Sequence, residues 1–175
     1  MTTRVAERAR ILSLGQLAET PSGLELISIS VQCPNGAEHV VSSIRMILLL
    51  VLIDDGKEWP SINDWERILP TWFIDQFTPE MSEAELQLWL AEWYKLTMKE
   101  KKRREKQEQN NWSLKGWIEW FNPENDERAW QWWDATIIHD NQAIIRIEVF
   151  DYPTPIAALE YLIFASGGRN IQVLR

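Results

Sequence analysis

The stretch AWQWWDATIIHDNQAIIRIEVF, residues 129–150, decides the fold. Two apolar runs, Ala129–Ile138 and Ala143–Phe150, flank His139-Asp140-Asn141-Gln142, whose residues suit a hairpin turn. In the second run Ile145, Ile147 and Val149 alternate with Arg146 and Glu148. That period of two marks a strand with one apolar face. In the first run Trp130 and Trp132 share a face and Trp133 points to the other.

Downstream, Thr154 stands at an N-cap position with Pro155 at the first helical position, and Gly167-Gly168 follows the last turn. Between them Ile156, Leu159, Leu162 and Ile163 form a stripe for burial. Ile171 and Val173 mark a short final strand. A strand–helix–strand unit in one sheet takes a right-handed crossover.

Upstream, Leu24–Val31 alternates again, with Ile27, Ile29 and Val31 on one face and Ser28 and Ser30 on the other. Pro21-Ser22-Gly23 is turn chemistry, which makes Ile11–Leu17 the expected hairpin partner. Cys33-Pro34-Asn35-Gly36 closes the strand. The run from about Val40 to Ile53 is leucine-rich rather than β-branched, which favours a helix over a buried strand, with Gly56 placed to end it.

The middle of the chain has helical period. Ser61-Ile-Asn-Asp64 and Ser82-Glu-Ala-Glu85 are capping boxes, and Pro70 stops the first helix. On the second, Leu86, Trp89, Leu90 and Trp93 form one apolar stripe, and the helix is expected to continue through Lys95–Glu108. Asn110-Asn111 breaks it. Ser113 caps a further helix whose stripe is Leu114, Trp117, Ile118 and Phe121. The expected fold is α+β: a small mixed or antiparallel sheet from the N- and C-terminal parts, with a tryptophan-rich helical insertion. The chain reads as a single domain over 1–175. Residues 1–58 are its sheet-forming part, 59–128 the insertion and 129–175 a β-β-α-β part.

The 175 residues suffice for a sizeable core, and 25% charged with 45% hydrophobic content is ordinary for a globular chain. The net charge of −8 argues against general affinity for nucleic acid or an anionic membrane. Cys33 is the only cysteine, which excludes an internal disulfide and fits a reducing compartment. The N-terminus lacks a signal-peptide pattern. The longest apolar run, Met46–Ile53, falls far short of the ~20 residues of a membrane span. The expected location is the cytoplasm.

All eleven tryptophans lie between residues 59 and 133. Helical period places Trp89, Trp93 and Trp117 in the core, with Trp65 and Trp72 capping it. Trp120, Trp130, Trp132 and Trp133 fall outside that account, and an exposed patch of them suits a protein interface or stacking on a sugar ring. A covered strand is the plainer reading.

From Lys95 to Glu108 there are seven Lys or Arg and three Glu, a local +4. Lys101, Lys102, Arg103 and Arg104, with tryptophans on either side, are candidates for single-stranded nucleic acid. The plain alternative is a solvated helix paired by Glu100–Arg104 and Lys101–Glu105, or a run matched by the acidic zone before it. Asp54 and Asp55 are the only carboxylate pair suggestive of a magnesium-dependent hydrolase. His39 and His139 have no zinc spacing, no cofactor loop is present, and no cofactor or metal is expected. The sequence therefore points to an accessory or protein-interaction module rather than an enzyme, its partner a second protein or a second copy. Nucleic acid is the alternative, and no membrane is involved.

Overall fold

The computed structural model describes residues 4–13, 20–53, 57–108, 111–125 and 128–174. In chain order these form α1 (Arg4–Leu12), β1 (Glu25–Gln32), α2 (Ala37–Val51), α3 (Ile62–Ile68) and α4 (Thr71–Ile74). Then follow α5 (Glu83–Lys95), α6 (Met98–Glu108), α7 (Leu114–Ile118) with a 3-10 turn at Glu119–Phe121, and β2 (Trp130–His139). β3 (Gln142–Val149), α8 (Ala157–Ala165) and β4 (Arg169–Leu174) complete the chain. The architecture is the expected α+β domain. Its sheet has four strands in the order β2-β3-β1-β4, with every neighbouring pair antiparallel.

The inner face is built by register. Ile27, Ile29 and Val31 of β1 stand opposite Ile147, Ile145 and Ala143 of β3. On the other side of β3, Trp130 faces Val149 and Trp132 faces Ile147, while Ala135 and Ile137 face Ile145 and Ala143. The register shifts between Trp132 and Asp134, so Trp133 is the extra residue of a bulge. The bulge changes the strand's phase and keeps Ala135 and Ile137 on the face that Trp130 and Trp132 began. α2 and α8 lay Val40, Ile44, Ile47, Leu48, Leu159 and Ile163 into this core, and α3, α4, α7 and the 3-10 turn add Trp65, Phe73, Trp117 and Phe121.

Three local expectations change. Residues 4–12 are helical, so Ile11 and Leu12 end α1 instead of starting a strand, while residues 14–17 lie outside the described part. α1 is held by tertiary pairs: Glu7 accepts from the Trp132 amide at 2.7 Å, and Arg10 Nε donates to the Trp132 carbonyl at 3.2 Å. α8 begins at Ala157 because the Thr154 hydroxyl is turned back onto the Asp151 carbonyl at 2.7 Å and caps nothing. The stretch 95–108 is broken in two, as described below. The α2 reading holds, although Gly56 is outside the described residues.

The end of α8 shapes the molecule's surface. Gly168 N donates to Ile163 O (2.8 Å) and Gly167 N to Phe164 O (3.0 Å), the Schellman pattern, with Gly167 at φ 98. At Gly168 a Cβ would lie 2.5 Å from Ile163 Cγ2 and 2.8 Å from Val31 Cγ1. A larger residue there would push β4 away from α8.

Candidate interaction surface

α5 opens on the capping box Ser82–Glu85, as expected, but closes at Leu96, whose backbone is extended. Thr97 then opens a new helix. Its amide and hydroxyl donate to Glu100 Oε2 at 2.8 and 2.7 Å, and the Glu100 amide returns a bond to Thr97 Oγ1 at 3.4 Å. Thr97-Met-Lys-Glu100 is a capping box legible in the sequence, masked there by the run of charges around it.

The break folds α6 back along α5. Trp89 and Trp93 stack on each other, with centroids 5.1 Å apart and planes 12° from parallel. Arg104 lies 5.5 Å from the Trp89 ring and Lys101 5.5 Å from the Trp93 ring. Contacts that pair 89 with 104 and 93 with 101 describe an antiparallel helical hairpin. Arg104 is further held by Glu108 at 2.8 Å and Glu92 at 3.6 Å. None of the residues of α5 or α6 is buried, and neither helix joins the core. This corrects the expectation that Trp89 and Trp93 are core residues. Their stripe is covered by cations of the next helix.

The four proposed surface tryptophans divide. Trp130 and Trp132 are wholly buried, which removes them as exposed anchors: Phe121 and Arg128 lie against the Trp130 ring and Arg45 over that of Trp132. Trp120 and Trp133 are half-buried, Trp120 against the rim of the core and Trp133 under the Arg10 guanidinium at 5.0 Å. Trp65 and Trp117 are core as expected, whereas Trp72 is exposed.

The basic run also divides. Lys101 and Arg104 turn toward the tryptophans, while Lys102 and Arg103 stay exposed. With Lys99 and Lys106 they complete an i, i+3, i+4, i+7 stripe along the open side of α6, all four exposed. Elsewhere on the hairpin Leu88, 69% exposed, Tyr94, 76%, and Met98, 72%, are also uncovered. This combination of exposed apolar side chains and an uncovered basic stripe escaped the sequence reading. Helical period shows that a face exists, not what covers it.

Asp54 and Asp55 lie outside the described residues, and among the described residues no group of three or more His, Cys, Asp or Glu is arranged to hold a metal. Cys33 is buried and burial raises its thiol pKa, so it is poorly suited to be a nucleophile. His39 and His139 are both exposed, on α2 and at the end of β2. No helix of the described residues is long and apolar enough to cross a membrane. Comparison with protein-family models, with curated proteins and with solved structures gave no match.

The capping boxes make the hairpin acid-sensitive. The Thr97 hydroxyl and then its amide hold the Glu100 carboxyl below the ordinary glutamate value, and the Ser82 amide and hydroxyl do the same for Glu85. A depressed folded-state pKa contributes stability that is present above the unfolded value, about 4.3, and is lost as pH falls through the folded value. Backbone chemical shifts of residues 83–86 and 98–101 are therefore expected to move toward coil as pH drops below that range. T97A should show frayed shifts at 98–101 already at neutral pH. Shifts that are unchanged between neutral pH and pH ~3 would sink the capping account.

Proposed function

We propose that this chain is a protein-interaction module that works by binding, with the α5–α6 hairpin as its docking element. The observation that carries this reading is the hairpin itself: helices of 13 and 11 residues, none of them buried, which expose Leu88, Tyr94 and Met98 and also four cations. Helices in water draw most of their stability from packing an apolar face. Here the inner stripe is closed by Lys101 and Arg104, and the outer apolar groups are left for another molecule. The partner that fits is an acidic protein surface with apolar ground between its carboxylates. Away from residues 95–108 the chain carries −12 (−8 less +4), so a second copy offers such charge as well.

Nucleic acid is the second reading, favoured by the stripe Lys99, Lys102, Arg103 and Lys106. It is weaker because single-strand binding joins cations to open aromatic faces, and Trp89 and Trp93 spend theirs on each other and on Lys101 and Arg104.

A photo-crosslinking side chain placed at Leu88 or Tyr94, in the cell that makes the protein, tests both. The expected result is a discrete protein adduct, either a partner or a dimer. It should be absent when the same group sits at exposed Thr136 on β2 and reduced roughly tenfold by K99E/K102E/R103E, the scale on which interfacial charges act on association. Nuclease-sensitive adducts would transfer the hairpin to nucleic acid. Adducts equal to those at Thr136 would end the docking proposal.

A further inference from the structure

A second surface feature lies apart from the outer face of the hairpin. α8 spends Ala158, Leu159, Leu162 and Ile163 on the core, and Tyr161, 1% exposed, is buried with them. Its opposite side, Ala157, Glu160, Tyr161 and Phe164, floors a cleft of about 740 Å³. One wall is Gly168–Ile171, brought there by the Schellman turn, and the other is Glu108, Asn111 and Trp112. Trp112 is fixed at its backbone, where its carbonyl accepts from the Thr78 amide at 2.9 Å and hydroxyl at 3.1 Å. The volume falls within the range of small-molecule sites, about 300–1,000 Å³.

The lining has a definite chemistry. Trp112 and Tyr161 meet as a tilted aromatic corner, centroids 6.2 Å apart, and Phe164 continues it 6.5 Å from Tyr161. The Tyr161 hydroxyl donates to the Gln76 carbonyl at 2.7 Å, and burial pushes the phenol up to about 12, so it stays protonated and engaged. Tyr161 gives the cleft only the edge of a buried ring, and the open aromatic surface there is that of half-buried Trp112 and Phe164. The Phe164 ring already holds a cation: the Arg169 guanidinium lies 4.4 Å from its centroid, anchored to the Phe164 and Gly168 carbonyls at 3.0 and 2.7 Å. Glu160 is half-buried in the lining, and its carboxyl group takes part in no hydrogen bond or ion pair with any described residue. Burial alone raises the pKa of its carboxyl. A carboxylate drawn partly out of water without a donor is unfavourable, and an arriving N–H cation relieves it.

We infer that this cleft binds a small organic cation, a protonated primary amine on a flat apolar body, with the ammonium on Glu160 and the body in the Trp112–Tyr161 corner. Glu108 at the rim is spent on Arg104 at 2.8 Å and Arg169 is kept on Phe164 by its two carbonyl bonds, which leaves Glu160 as the carboxylate for the ammonium. The site shares no residue with the exposed stripe of the hairpin, so it stands or falls independently of the docking role.

The test compares 2-phenylethylammonium with 2-phenylethanol, which has the same body and no charge, by NMR titration of the full chain. The reporter is the Trp112 indole N–H, assigned through W112F. Saturable shifts at Trp112 are expected, with the amine binding at least about tenfold tighter than the alcohol, and with E160Q bringing the two within about twofold. Because the Glu160 carboxylate is drawn partly out of water without a donor, E160Q should not lower the melting temperature, and E160D should restore part of the preference. Equal binding of amine and alcohol by the wild type, an undiminished preference in E160Q, or no saturable shift at Trp112 would each overturn the inference.

Discussion

Replacing Trp117 with alanine is expected to cost the domain about 3–5 kcal/mol, the range for deleting a large buried aromatic. Trp117 is wholly buried on α7. Its ring packs edge-on to Phe73 at 5.0 Å and 73°, and lies 4.7 Å from Phe121 and 5.8 Å from Phe77. α4, α7 and the 3-10 turn therefore meet on one indole. Its Nε1–H donates to the Ala158 carbonyl at 2.9 Å and ties α7 to α8, whereas the buried indoles of Trp65, Trp130 and Trp132 find no acceptor among the described residues. W117F keeps most of the packing and loses the donor, so it should cost about 1–2 kcal/mol. W89A is the contrast: its stripe is outside the core, and global stability should move by less than about 1 kcal/mol. Urea denaturation measures all three. A loss in W117F as large as in W117A would mean that the hydrogen bond, not the packing, is the dominant contribution. No loss in W117A would mean that the aromatic cluster does not hold the helical part to the sheet.

The contrast between Trp117 and Trp89 also shows what a sequence can and cannot carry. Both lie on stripes of the same period, and period alone assigns both to a core. What separates them is what sits opposite: Phe73 and α8 for one, Arg104 for the other. That difference depends on the chain turning at Thr97, a local signal, and on where the turn delivers α6, which is not local. The strands were more legible, because Ile27, Ile29 and Val31 meet Ile147, Ile145 and Ala143 in the register that alternation implies. On β2 alternation correctly separates Trp130 and Trp132 from Trp133 but does not say which side is covered. The covering comes from Phe121, Arg128 and Arg45, set elsewhere in the chain. The cleft beside α8 was not legible at all. Its walls come from residues near 108, 160 and 170, and no short-range pattern joins them.

Substituting Glu7 is the second large effect. Glu7 is wholly buried and accepts three bonds: two from Arg128, at 2.9 and 2.6 Å, and one from the Trp132 amide at 2.7 Å. That amide lies on the outer edge of β2, an edge strand, so the carboxylate supplies the partner that a further strand would supply. Arg128 is itself only 7% exposed and rests 5.0 Å from the Trp130 ring. E7Q keeps the volume but turns an amide toward a guanidinium that has nowhere else to go. Breaking a buried pair by removing one partner costs about 3–5 kcal/mol, and E7Q is expected in that range. Restoring an uncharged pair as E7Q/R128M should recover at least about half of the loss, because a buried ion pair and an apolar pair of similar volume are often close in stability. Two further readouts separate this from a generic core defect. The Trp132 amide should exchange with solvent faster in E7Q than the Ile145 amide of β3, which is paired inside the sheet. The exposed edge should also make E7Q self-associate at concentrations where the wild type does not. If E7Q loses stability but Trp132 stays as protected as Ile145, then Glu7 serves only as the counter-charge of Arg128, and α1 is not what closes the edge of the sheet.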